Sequence, residues 1–256
     1  MSPKRLTLPA RVKALTVPLP AGKHIRPDLD DDEPAVLWLS KTAPPPGLWQ
    51  ELRAAHSATG LWPLLLTHLD GDASRPWVEG ELVPDEMSDP AGHDPAELLA
   101  SWWATTAAGH GAWPGLAPGR DGTAAEADAA ADREAAALLA SRRPWRLGLV
   151  AAGRGADAPT VAGWDGPVNH TGDTAHISAV LRSWEDRFGA RVVGLGFDEL
   201  FLSVGAPPAT PDQAAAVAAE HFAFCPDNVT GLPGDRPLDD YAKSLIDTPA
   251  WHFWWD

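Results

Sequence analysis

The chain has 256 residues, with 35 acidic against 20 basic side chains and a formal charge of -15. That sign opposes duplex binding, which needs a surplus of Lys and Arg to displace counterions from phosphate. Apolar residues make up 45% of the sequence, enough for a sizeable core and too many for a wholly disordered chain. No run of about 18 apolar residues exists to span a bilayer, and no signal-peptide core opens the chain, so no membrane partner is expected. Cys225 is the only cysteine, which rules out an internal disulfide and fits a reducing cytoplasm.

Residues 1–33 read as an irregular arm, first basic (Lys4, Arg5, Arg11, Lys13, Lys23, Arg26) and then acidic (Asp28 to Glu33). Pro9, Pro18 and Pro20 oppose a helix there, so a loosely docked terminus is expected. Nucleic-acid binding through the arm alone is the lesser alternative. Residues 34–108 read as an α/β segment: a strand over Ala35–Ser40, a helix over Leu48–Ser57 and a strand over Leu61–Leu66, a unit that favours parallel pairing. Asp70–Pro95 shows no period and reads as loop, and Asp94–Thr106 as a helix with Leu98, Leu99, Trp102 and Trp103 on its apolar side.

Residues 109–122, with five glycines and two prolines, form the candidate linker, and residues 123–144 an Ala-rich helix opened by a Thr123/Glu126 capping box. Over residues 145–256, strands are predicted at Trp145–Ala151 and Thr160–Trp164. A helix capped by Asp173 or Thr174 follows, carrying the stripe Ile177, Val180, Leu181, Trp184 and Phe188 and ending at Gly189. Arg191–Phe197 and Leu200–Val204 read as a hairpin turning at Asp198-Glu199. Thr210, Pro211 and Gln213 open a helix ending near Cys225, and Asp239–Ile246 forms a shorter one. The expected fold is α+β, a mixed sheet with a C-terminal β-β-α-β-β-α module and an N-terminal α/β segment able to share its sheet.

The chain has only two asparagines, Asn169 and Asn228, each inside a polar cluster: Trp164-Asp165-Gly166-Pro167-Val168-Asn169-His170 and Cys225-Pro226-Asp227-Asn228. Asx side chains stabilise turns by bonding nearby backbone, the ordinary reading of both clusters. His221, Cys225 and Asp227 lack a fourth ligand and a recognisable spacing, so no metal is expected. A Cys225 nucleophile served by His170, His176 or His221 is the weaker alternative, since free cysteine is usually buried and inert. No GxxxxGK[ST], HExxH or GxSxG pattern appears, so no cofactor is expected and no catalytic residue is assigned. The tail Trp251-His252-Phe253-Trp254-Trp255-Asp256 is too apolar to stand in water; it is expected to dock as core, with groove lining as the alternative.

The segments VAGWDGPVN, DTAHISAVLRSWEDRFGARVVGLGFDELFLSV, AAEHFAFCPDN, LDDYAKSL and WHFWWD resemble, in order and spacing, the bacterial domain-of-unknown-function family 4253 over about residues 145–256. The resemblance implies a fold and a class without a mechanism, and no role attaches to its motif residues. The functional expectation is a non-catalytic binding protein whose acidic surface and aromatic tail meet a protein partner, a basic one fitting best. The alternative is an enzyme or small-ligand domain with a pocket around Asn169 and Asp227. The candidate binding residues are Trp164, Asn169, His170, Asp198, His221, Asp227, Asn228, Trp251, Trp254 and Trp255.

Overall fold

A computed structural model describes residues 6–30, 32–107, 110–230 and 237–256; Lys4, Arg5 and Asp31 of the arm lie outside them. In chain order the elements are α1 (Leu8–Lys13), β1 (Gly22–Ile25), β2 (Leu37–Ser40), α2 (Leu48–Ala54), α3 (His56–Thr59), β3 (Trp62–Leu66), α4 (Pro95–Thr106), α5 (Ala124–Ala140), β4 (Arg146–Val150) and α6 (Ala158–Ala162). There follow α7 (Thr174–Phe188), β5 (Ala190–Leu195), β6 (Glu199–Val204), α8 (Pro211–Phe224), α9 (Asp227–Thr230), α10 (Pro237–Leu245) and β7 (Ala250–Trp254). No described helix is long and apolar enough to cross a membrane.

The strands form one mixed sheet of seven, ordered β1-β2-β4-β3-β5-β6-β7. Among the described strands only β3 and β5 pair in parallel; the other neighbours are antiparallel. The fold is α+β, as expected. Side chains alternate between the faces with the two-residue period of a strand. Leu64, Leu66, Leu200 and Leu202 face one core, which also takes in Trp103, Trp164, Trp184 and Phe222 from the helices. Leu65, Val193 and Phe201 face a second core with Trp49, Leu52 and Ala131. A bidentate pair from Arg53 to Asp132, at 2.7 and 2.9 Å, ties α2 to α5 over that second face.

Three local expectations are corrected. The arm forms α1 and β1: Pro9 sits in the first turn of α1, where its missing N–H has no helical partner to lose, and β1 pairs with β2. Arg11 and Lys23 of the arm donate to the backbone at Thr59 and Val78. The segment Thr160–Trp164 is not a strand: residues 158–162 form α6, with Pro159 at its start and Gly163 just past its end at φ 71°. Those terminal signals outweigh the β-branched Thr160 and Val161. Finally, β2 and β3 run in the same direction without pairing, because β4 lies between them and is antiparallel to both.

Residues 110–122 are fastened at Ala117. The Glu220 side chain, with no exposure, accepts from the Ala117 N–H at 2.5 Å, from Trp184 Nε1 at 2.7 Å and from Arg187 at 2.8 and 2.7 Å. Arg187 in turn donates to the Ala117 carbonyl at 2.7 Å. One buried carboxylate therefore joins α7, α8 and the Gly/Pro-rich stretch. Arg187→Leu, which strands that charge, is expected to lower unfolding free energy by about 3–5 kcal/mol in urea titration, and adding Glu220→Leu to recover much of the loss.

Candidate functional site: an acidic cleft beside a latched C-terminal strand

The predicted site residues fall into two neighbouring groups. The first holds β7 in place. The outer edge of this last strand would be open to pairing with another chain, and side chains cover it. Asn228 imitates a neighbouring strand: its Nδ2 donates to the His252 carbonyl at 2.6 Å and its Oδ1 accepts from the Trp254 N–H at 3.2 Å. The Cys225 thiol donates to the Trp254 carbonyl at 2.9 Å, Asp227 Oδ2 accepts from the Asp256 N–H at 3.2 Å, and Asn169 Nδ2 donates to the Asp256 main-chain oxygen at 2.8 Å. Both asparagine clusters thus close on the tail, and their short polar side chains do so from turns and a helix start.

Cys225 is buried, and burial pushes its thiol up to about 12, so it stays a protonated donor. The set His221, Cys225 and Asp227 is divided among different tasks. His221 lies in the core, its Nδ1 3.0 Å from the Tyr241 hydroxyl, enclosed by the rings of Trp184, Trp251 and Phe253 at 5.0, 4.4 and 4.9 Å. Burial, reinforced by the Arg187 charge, holds its imidazole down to about 3. Trp164 is buried and donates to the Gly196 and Phe197 carbonyls at 3.0 and 3.1 Å. His170 packs 4.8 Å from Trp102, and burial lowers its pKa against the pull of Asp227. Trp251 and Trp255 are core residues; Trp254 is 43% exposed.

The second group lines a cleft of about 300 Å³ at one end of the sheet. The parallel strands β3 and β5 end here, opening into Thr67–Asp70 and the Phe197-Asp198 turn. Arg143 and Pro144 arrive ahead of β4, and Trp254 closes β7. The hairpin turns at Phe197-Asp198 rather than Asp198-Glu199, with Gly196 N–H bonded to the Glu199 carbonyl at 2.7 Å. Asp198 accepts from Trp254 Nε1 at 3.2 Å, which holds the exposed indole over the cleft. Glu199 takes Arg143 at 2.5 Å and His252 at 3.0 Å.

The environments of these adjacent carboxyls differ. Burial pushes Asp198 up, and the neighbouring Glu199 and Asp70 charges add to the shift. Burial also works against Glu199, yet hydrogen bonds from His252 and Arg143 and the Arg143 charge hold it down to about 2. The cleft presents three carboxylates (Asp70, Asp198, Glu199) against one guanidinium, beside an indole face. Asp198 and Trp254 are the sequence-predicted residues that reach it. His68, Asp70 and Arg143 carry no sequence signal for this site, because only the strand order brings them together.

Asn228→Ala should cost about 1–3 kcal/mol and speed hydrogen exchange at the Trp254 amide, since it unpairs two main-chain groups of β7. A second outcome concerns pH. His221 has a folded pKa below its unfolded value of 6.5, so below pH 6.5 the unfolded chain takes up a proton that the folded chain refuses, and stability falls toward about pH 3. In His221→Gln the stability difference between pH 7 and pH 5 should shrink by about 2 kcal/mol, read from urea midpoints at both pH values.

No curated protein and no solved structure matches the chain. Residues 146–256 match the family model described as Domain of unknown function (DUF4253). This stretch supplies β4 to β7, the latch around Asn228 and the Asp198–Trp254 wall of the cleft, and it is the part of the chain that resembles that family.

Proposed function

We propose that the protein binds a cationic group of a protein partner in the acidic cleft, without catalysing a reaction. The observation that carries this reading is the exposed Trp254 indole, held by Asp198 in a cleft where carboxylates outnumber guanidinium groups. An ammonium or guanidinium entering there meets carboxylate acceptors on one side and a π face on the other, a combination that strengthens as water is excluded. The net charge of -15 would speed encounter with a basic partner. The polar groups of Asn169, Asp227 and Asn228 serve the chain's own tail, which favours this cleft over a pocket around those residues. A bacterial cytoplasmic protein is the setting we attach to this reading; the buried, protonated Cys225 fits it.

The test is fluorescence anisotropy with a labelled arginine-rich nonapeptide. Trp254→Ala and Asp198→Asn should each weaken binding about tenfold, equivalent to about 1.4 kcal/mol. Asp212→Asn and Asp240→Asn, which change acids away from the cleft, should leave it unaltered. Equal losses in all four variants would reduce the interaction to general charge attraction and overturn the assignment.

A further inference from the structure

His93, Asp173 and His176 share no residue with the cleft lining or the tail latch. One donor atom of each lies within 4.8 Å of the other two. His176 Nε2 is 3.8 Å from Asp173 Oδ2, too long for a hydrogen bond. The two imidazole rings stand 4.5 Å apart between centroids at an interplanar angle of 87°. All three side chains are half-buried. Two imidazoles and a carboxylate thus face a common point without bonding one another across it.

Each of the three has a further polar partner. Asp173 caps α7, its Oδ1 accepting from the N–H groups of Ala175 at 2.9 Å and Ser88 at 3.2 Å, so Oδ2 is left toward His176. The Thr171 hydroxyl donates to the Asp173 carbonyl at 3.3 Å and lies 2.9 Å from His176 Nδ1. When Nδ1–H donates to this hydroxyl, Nε2 carries the lone pair, which is the tautomer a metal ligand needs. Ser88 Oγ holds His93 Nε2 at 2.6 Å. Outer partners that fix ring orientation and tautomer are what imidazole ligands to metal ions carry.

We propose that His93, Asp173 and His176 form a site for a divalent first-row transition ion of the Zn²⁺ type. The two nitrogen donors select against Ca²⁺ and Mg²⁺, which prefer all-oxygen shells. Metal–ligand bonds of about 2.0–2.2 Å in a tetrahedral site set donors about 3.3 Å apart, so side-chain rotation closes the remaining gap. Three protein donors on a half-exposed surface leave one position for water or an external ligand. The ion would also cross-link the residue 88–93 segment to the start of α7, which the Ser88–Asp173 bond already joins.

The test is calorimetric titration of chelator-stripped, tag-free full-length protein with ZnCl₂, alongside CoCl₂ titration followed by visible d–d absorption. The expected result is one ion per chain, with both signals lost in His93→Gln and in His176→Gln. Thr171→Val, which frees the His176 ring, should weaken Zn²⁺ about 10–100-fold, while His24→Gln on the edge strand β1 should leave Zn²⁺ uptake unchanged. Absence of stoichiometric uptake, or uptake that survives both glutamine variants, overturns the site. Should a variant fail to fold, imidazole ¹⁵N spectra of the wild type decide: Zn²⁺-induced shifts at His93 and His176 support the site, and shifts confined to other histidines overturn it.

Discussion

The Glu220 carboxylate, sealed from solvent, sets the arrangement of the larger core. Removing a carboxylate from water costs several kcal/mol, a cost here offset by a bidentate guanidinium and two further N–H donors. The geometry propagates through Trp184, whose Nε1 is fixed by Glu220 and whose ring stacks on Phe253 of β7 at 5.4 Å and 17°. The same ring touches His221, Phe224 and Trp251. The inner face of the last strand therefore rests on an aromatic layer whose orientation is governed by an ion pair between α7 and α8.

The outer edge of that strand is governed by different chemistry, and the two meet at Trp254. Its main chain is gripped by Asn228 and Cys225, while its indole reaches over the edge to Asp198. A rigid main chain carrying an exposed ring is a favourable arrangement for recognition, because little rotamer freedom remains to be lost on binding. The cleft is polar and open, in keeping with a site that captures one charged group of a larger partner. It is less suited to enclosing a small apolar molecule.

Much of the fold was legible wherever local chemistry speaks alone. The stripe of α7 and its terminal Gly189, the Thr123/Glu126 box of α5 and the Thr210 cap of α8 all stand where periodicity and end signals place them. β7 carries no plain strand signal in its composition, although it alternates between inside and outside from Trp251 to Trp255. Its outward residues are His252 and Trp254, so an aromatic run concealed the period of two. The asparagine clusters were visible as unusual, but not that their ligand is the chain's own tail, which approaches from far along the sequence. His93 carried no signal, since it stands some eighty positions from Asp173 and shares no motif with it.

The strand order gives the matched segment a missing piece. Residues 146–256 contain β4 and β5, yet these do not pair, because β3 from the preceding part of the chain fills the slot between them. The unit that sequence comparison recognises is thus not a complete sheet. Cut near residue 144, the chain becomes two pieces of which one carries a strand-wide gap and the other the strand that fits it. An inner strand supplied from outside the matched stretch is the geometry on which strand complementation rests: the slot between β4 and β5 has main-chain groups on both sides, and β3 satisfies both.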